Sequence, residues 1–181
     1  MRILKLTKET QDNILENLLK RSPNSYGEFE DRVNEIIQNV RDRRDEAIFE
    51  YTLKFDGAKI DHSNIEVTEQ EIEEAYKEVV PKLLEVIRKA LVNIRDYHMK
   101  QKQYSWFDSD ESGIMLGQKV TPLKTVGVYV PGGKAVYPSS VLMNVIPAKV
   151  AGVDQIMMTT PCGRDGKVYP STLVAAKEAG V

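Results

Sequence analysis

From Thr125 onward the sequence alternates between two kinds of segment, and this alternation restricts the possible folds more than any other feature. "TVGVYVP" (Thr125–Pro131) is short and β-branched, whereas "SSVLMNVIPAKVAG" (Ser139–Gly152) has its apolar residues at helical spacing. "VDQIMMTTP" (Val153–Pro161) again reads as a strand, and "YPSTLVAAKEAG" (Tyr169–Gly180) as a second helix. Strand, helix, strand, helix is the order of an α/β fold in which parallel strands are joined by crossover helices. Gly180 reads as a helix C-cap and Val181 as the first residue of a third strand. The chain is therefore expected to stop where a doubly wound domain would continue.

The region before Thr125 has a different composition. Residues 1–112 hold 24 acidic against 18 basic residues, with two glycines and two prolines, whereas residues 113–181 hold nine glycines and six prolines. The shift predicts a mainly helical segment over 1–112 and an α/β unit over 113–181, divided at the polar stretch "WFDSDESG" (Trp106–Gly113). Phe29, Val33, Ile36, Ile37, Val40, Ala47, Ile48 and Tyr51 recur every three or four residues and make one apolar stripe, which Gly57 is expected to end. A short extended piece is expected around Ile60–Val67. Thr68 with Glu71 three places on has the form of a capping box, and Pro81 either breaks that helix or opens a new one. Beyond Pro81, Leu84, Ile87, Leu91, Ile94 and His98 share one helical face.

The corner "YVPGG" (Tyr129–Gly133) joins the first strand to the helix after it. In an open α/β sheet, ligands bind at the carboxyl ends of strands, and helix N-terminal N–H groups can meet a phosphate. Gly132 and Gly133 are expected to turn the chain with positive φ and let a ligand approach the main chain. A purely structural turn remains the alternative. Gly127 and Gly132 have the spacing of a P-loop, but Gly133 stands where the lysine is required, and no G-x-G-x-x-G is present. Ser139 and Ser140 are expected to cap the helix, and Pro147 to kink it.

Other chemistries find little support. His62 and His98 lie in different segments without a partner at metal-ligand spacing, so no zinc site is expected within this chain. Cys162, the single cysteine, has no histidine near it in sequence and reads as an inert loop residue. The carboxylate pairs Asp108 with Asp110 and Asp42 with Asp45 read as solvated surface. The 25 lysines and arginines nearly cancel the 27 aspartates and glutamates, which argues against nucleic acid as a partner. No run approaches the roughly 18 apolar residues of a membrane span, so no membrane association and a cytoplasmic location are expected.

"PLKTVGVYVPGGKAVYPSSVLMNVIPAKVAGV" (Pro122–Val153) closely resembles histidinol dehydrogenase, as do "VRDRRDEAIFEYTLKFDG" and "TTPCGRDGKVYPSTLVAAKEAGV". The resemblance implies an N-terminal helical segment followed by an incomplete Rossmann-like parallel-sheet unit. It also implies a homodimeric, zinc-dependent, NAD-linked enzyme that oxidises L-histidinol to L-histidine in histidine biosynthesis. By the same resemblance Tyr129 contacts NAD, Pro131, Gly132 and Gly133 line the cofactor pocket, and Ser139 and Ser140 face cofactor or substrate. Family members are more than twice as long, with the zinc ligands and a Glu-His acid–base pair in the part beyond this sequence. No turnover is therefore expected of this chain alone.

Overall fold

The computed structural model describes residues 7–8, 10–11, 27–132 and 135–181. By its contacts the chain falls into two compact units, Met1–Glu50 and Tyr51–Val181. The composition break after residue 112 lies inside the second unit.

The expected long helical stripe is two helices, α1 (Gly27–Arg43) and α2 (Asp45–Phe55). Arg44 separates them with φ 53, a left-handed conformation, and donates its N–H to the Val40 carbonyl. Asp45 and Glu46 then place negative charge in the first turn of α2, where the helix dipole favours it. The break has local causes: "RDRRDE" supplies cations to close one helix and anions to open the next. Gly57, at φ 72, follows α2 as expected.

Ile60–Val67 is not extended. Asp61 folds the segment into turns: its carboxylate accepts the Ser63 N–H at 2.8 Å, and its carbonyl accepts the Ile65 N–H at 3.0 Å. Short polar side chains that capture nearby backbone compete with strand formation. The capping box at Thr68 forms in full, with Glu71 N–H donating to Thr68 Oγ1 at 3.2 Å and Thr68 N–H donating to the Glu71 carboxylate at 2.8 Å. It opens α3 (Glu69–Glu78), and Pro81 is the first residue of α4 (Pro81–Met99).

"WFDSDESG" is not a linker. Trp106–Ser109 forms β1, which pairs antiparallel with β2 (Met115–Gln118) around a turn at Asp110–Gly113. Asp110 organises that turn by accepting the N–H groups of Ser112 and Ile114, and Gly113 takes φ 84. Gly117 is required here for packing, since a Cβ would collide with the Phe107 ring and the Trp106 carbonyl oxygen. β2 therefore belongs to a separate hairpin and not to the parallel sheet.

β3 (Thr125–Tyr129) and β4 (Gln155–Thr159) are parallel, in the register Val126↔Ile156 and Tyr129↔Thr159. Between them runs α5 (Pro138–Ala151), and α6 (Pro170–Ala179) follows β4. Both helices end at left-handed glycines, Gly152 at φ 95 and Gly180 at φ 86. Val181 forms no third strand; its N–H donates to the Ala176 carbonyl and so completes the cap of α6.

The core of the second unit is built on α5, whose Val141, Leu142, Val145 and Ile146 are at most 2% exposed. α5 packs against α4, α6 and β3, and α6 against α3. A helix with neighbours on several sides must be apolar around much of its circumference, which is why "VLMNVIPAKV" lacks the polar stripe of a surface helix. Val126, Val128, Ile156 and Met158 turn one face of the sheet into this core, while Tyr129 and Met157 face outward. Leucine and isoleucine positions on α4, notably Ile87 and Leu91, bury the helix read from the sequence.

Polar bonds fasten the same helices together. Glu178 on α6 accepts the Tyr76 hydroxyl of α3 at 2.8 Å and two Arg88 guanidinium N–H groups of α4, each at 2.8 Å. Lys177 reaches Glu69 at 2.8 Å.

Candidate functional site: the corner after the first parallel strand

The corner follows from the topology. Adjacent parallel strands end at the same edge of their sheet, so the loops after Tyr129 and Thr159 emerge side by side. Val130 extends the ladder by donating its N–H to the Thr159 carbonyl at 2.9 Å, and its side chain is wholly buried. This anchors the residue between Tyr129 and Pro131. The Tyr129 side chain points the other way and is 62% exposed.

Gly132 does not take a positive φ, so the expected conformational reason for a glycine fails here. The reason is proximity: a Cβ would lie 3.1 Å from the Pro161 carbonyl oxygen and 3.3 Å from Thr160 Oγ1. The space beside its Cα is filled by the loop after β4. Thr160 and Pro161 thus form part of the corner, although nothing in the sequence pattern singled them out. The available signal was their position, directly after the strand that pairs with β3. Gly133 lies outside the described residues.

Ser139 and Ser140 do not cap α5. The helix starts at Pro138 with Tyr137 in the cap position, so the two serines are its second and third residues. Proline at the first position fixes the start one residue earlier than a serine cap would. Ser139 is exposed, Ser140 half-buried, and the Ser140 N–H donates to the Tyr137 carbonyl at 2.9 Å. Tyr129, Pro131 and Gly132 are brought together at one strand end, and the serines begin the helix that leaves it.

Two further parts of the sequence meet nearby. A Cβ on Gly57 would lie 3.9 Å from Arg164 Cγ, and one on Gly166 would lie 3.6 Å from Ile60 Cδ1, so "FDG" rests against the loop "CGRDG". That loop closes on itself through Gly163 N–H to the Lys167 carbonyl at 2.8 Å. Burial pushes the Cys162 thiol pKa up, with Asp56 and Asp165 adding to the effect. A thiol held protonated is a poor nucleophile.

Two clefts are found elsewhere in the second unit. One of about 260 Å³ is lined by Glu71, Glu74, Glu78, Asp165, Lys167 and Tyr169. Another of about 640 Å³ lies among His98, Gln101, Tyr104, Pro122, Pro147 and Gly152. Neither lining includes Tyr129. Among the described residues no three His, Cys, Asp or Glu side chains converge as a metal site, and no helix is long and apolar enough to cross a membrane.

A sequence profile of the histidinol dehydrogenase family matches residues 19–181. Histidinol dehydrogenase of Heliobacterium mobile is 55% identical over 150 residues, which is 83% of this chain and 35% of that protein. Histidinol dehydrogenase of Geobacillus kaustophilus is 54% identical over 90% of the chain, and that of Bacillus subtilis 53% identical over 90%; in both the match spans 38% of the relative. The crystal structure of histidinol dehydrogenase from Elizabethkingia anophelis superposes with a TM-score of 0.78 at 31% identity, covering 84% of this chain and 35% of that one.

Proposed function

Because the chain belongs to the histidinol dehydrogenase family, we propose that it supplies the opening part of a nucleotide-binding unit whose corner after Tyr129 receives NAD. In this reading residues 1–112 are the helical segment and residues 113–181 the incomplete Rossmann-like unit. The observation that carries it is the exposed Tyr129 ring at the carboxyl end of β3, with the start of α5 just beyond. A flat ring is a stacking surface for a base or nicotinamide, and backbone at this edge is where phosphates are met in α/β sheets. Pro131, Gly132 and Gly133 are assigned to the wall behind it. Thr160 and Pro161 hold Gly132 in place, and Ser139 and Ser140 present hydroxyls toward cofactor or substrate. NAD, when bound, accepts the hydride.

The proposed reaction of the whole enzyme is NAD-linked oxidation of L-histidinol to L-histidine in histidine biosynthesis, by a zinc-dependent homodimer in the cytoplasm. The described residues do not fit zinc, since no ligand set converges among them. No step of the reaction is assigned to metal bound within this chain. Hydride transfer needs the substrate carbon held against the nicotinamide. The chain spans 35–38% of the length of the Heliobacterium, Geobacillus and Bacillus relatives. It binds nucleotide without turning over histidinol; a binding or subunit-interaction module derived from the enzyme is the form in which it acts alone.

Calorimetric titration of the chain with NAD tests this reading. Binding is expected, weakened about tenfold or more by Tyr129→Ala through loss of ring stacking. Equal affinity in the two proteins would place NAD, if it binds, away from Tyr129 and defeat the assignment.

A further inference from the structure

The hairpin β1–β2 has no partner strand at either outer edge among the described residues. Its register puts Trp106 and Leu116 on one face and Phe107 and Met115 on the other. These four side chains are 56–68% exposed, and Ile114 beside the turn is 57% exposed. Two-stranded hairpins are marginal by themselves, and one with large apolar residues on both faces exposes surface that a stable chain would cover.

Charge along the hairpin indicates what covers it. Asp108, Asp110 and Glu111 gather at the tip, while Lys102, Lys119 and Lys124 lie at the base. Four or five strand residues separate the two ends by roughly 15 Å. This is about twice the screening length of physiological salt, so the ends do not neutralise each other within one hairpin. An antiparallel arrangement of two identical hairpins brings each acidic tip beside the other's lysines, whereas a parallel one sets like charges together.

We propose that β1–β2 is a self-association arm, pairing edge to edge with the same hairpin of a second copy about a two-fold axis. The pairing continues the antiparallel sheet across the axis and joins the apolar residues of both copies into shared faces. It does not depend on the redox reading, because association needs neither cofactor nor substrate.

Sedimentation velocity of the full chain over a micromolar concentration series tests the proposal, with Trp106 emission recorded in parallel. Trp106 is the single tryptophan, so its emission should shift to shorter wavelength as dimer forms. Asp108→Lys with Glu111→Lys should weaken dimerisation about tenfold. Lys119→Glu with Lys124→Glu should do the same, and all four changes together should restore it. Circular dichroism verifies that each variant keeps its helices. A monomeric unmodified chain, a mass that rises without reaching a plateau at dimer, or a fourfold variant no tighter than its parents would each overturn the proposal.

Discussion

Replacing Gly132 by alanine distinguishes packing from conformation as the reason for a glycine at the corner. The added Cβ would sit 3.1 Å from the Pro161 carbonyl oxygen, a backbone atom in a loop tied to the end of β4. Relief requires the two loops to separate by a few tenths of an ångström, and overpacking of this kind costs about 1–3 kcal/mol. Against it stands a gain of about 0.4–1 kcal/mol, because alanine reduces the freedom of the unfolded chain. The net expectation is destabilisation of about 1 kcal/mol, or about 2–4 °C in Tm for a chain of this size. Gly127 is the matched control: it lies in β3 without a positive φ, and a Cβ there meets nothing within 4 Å. Gly127→Ala should therefore keep or slightly raise stability. Urea denaturation followed by far-ultraviolet circular dichroism compares the two. If Gly132→Ala proves as stable as Gly127→Ala, the contact with Pro161 does not explain the glycine.

The Glu178 clamp should matter for joining α3 and α4 to α6. Glu178→Gln is expected to lower stability by about 1–2 kcal/mol, chiefly through the part-buried Tyr76 bond, as measured by urea denaturation. The Arg88 guanidinium holds the Glu178 carboxyl below its ordinary value of 4.5, with the Tyr76 hydroxyl bond acting the same way. A depressed carboxylate pKa contributes stability above about pH 4.5 that is lost as pH falls through the folded value, so Glu178→Gln should flatten the acid limb of the stability profile. Burial first, and then the Glu178 hydrogen bond, pushes Tyr76 from 10.0 up to about 12. That stability is fully present below pH 10 and is lost as pH rises toward 12; Tyr76→Phe should remove this alkaline dependence, which a pH series of melting curves would detect. Thr68→Ala should cost about 1 kcal/mol by breaking the capping box, and a fully retained Tm would show that the cap contributes nothing to α3.

Much of the fold was legible in local pattern. The capping box at Thr68, proline at the start of α4, the glycine ends of α5 and α6, and the β3–α5–β4–α6 order all rest on interactions within a few residues. The misread segments share a different cause. The Ile60–Val67 turns depend on the Asp61 carboxylate, the division at Arg44 on one left-handed residue, and the start of α5 on Pro138 preceding the two serines. In each, a single polar group or backbone angle overrides a composition average. The candidate corner was placed correctly at a strand end, but Thr160 and Pro161 were invisible as members of it because they are distant in sequence.

By itself, then, the sequence determined where helices and parallel strands lie, because hydrophobic spacing and caps act through neighbouring residues. It also carried the family resemblance in the residues around "YVPGG". Tertiary structure alone decided that Gly132 is kept small by the loop after β4, that α3 and α4 share a core with α5 and α6 across the composition break, and that an acidic stretch is one arm of an apolar hairpin. These depend on atoms brought together from distant parts of the chain, and a linear pattern holds no record of which distant surfaces will meet.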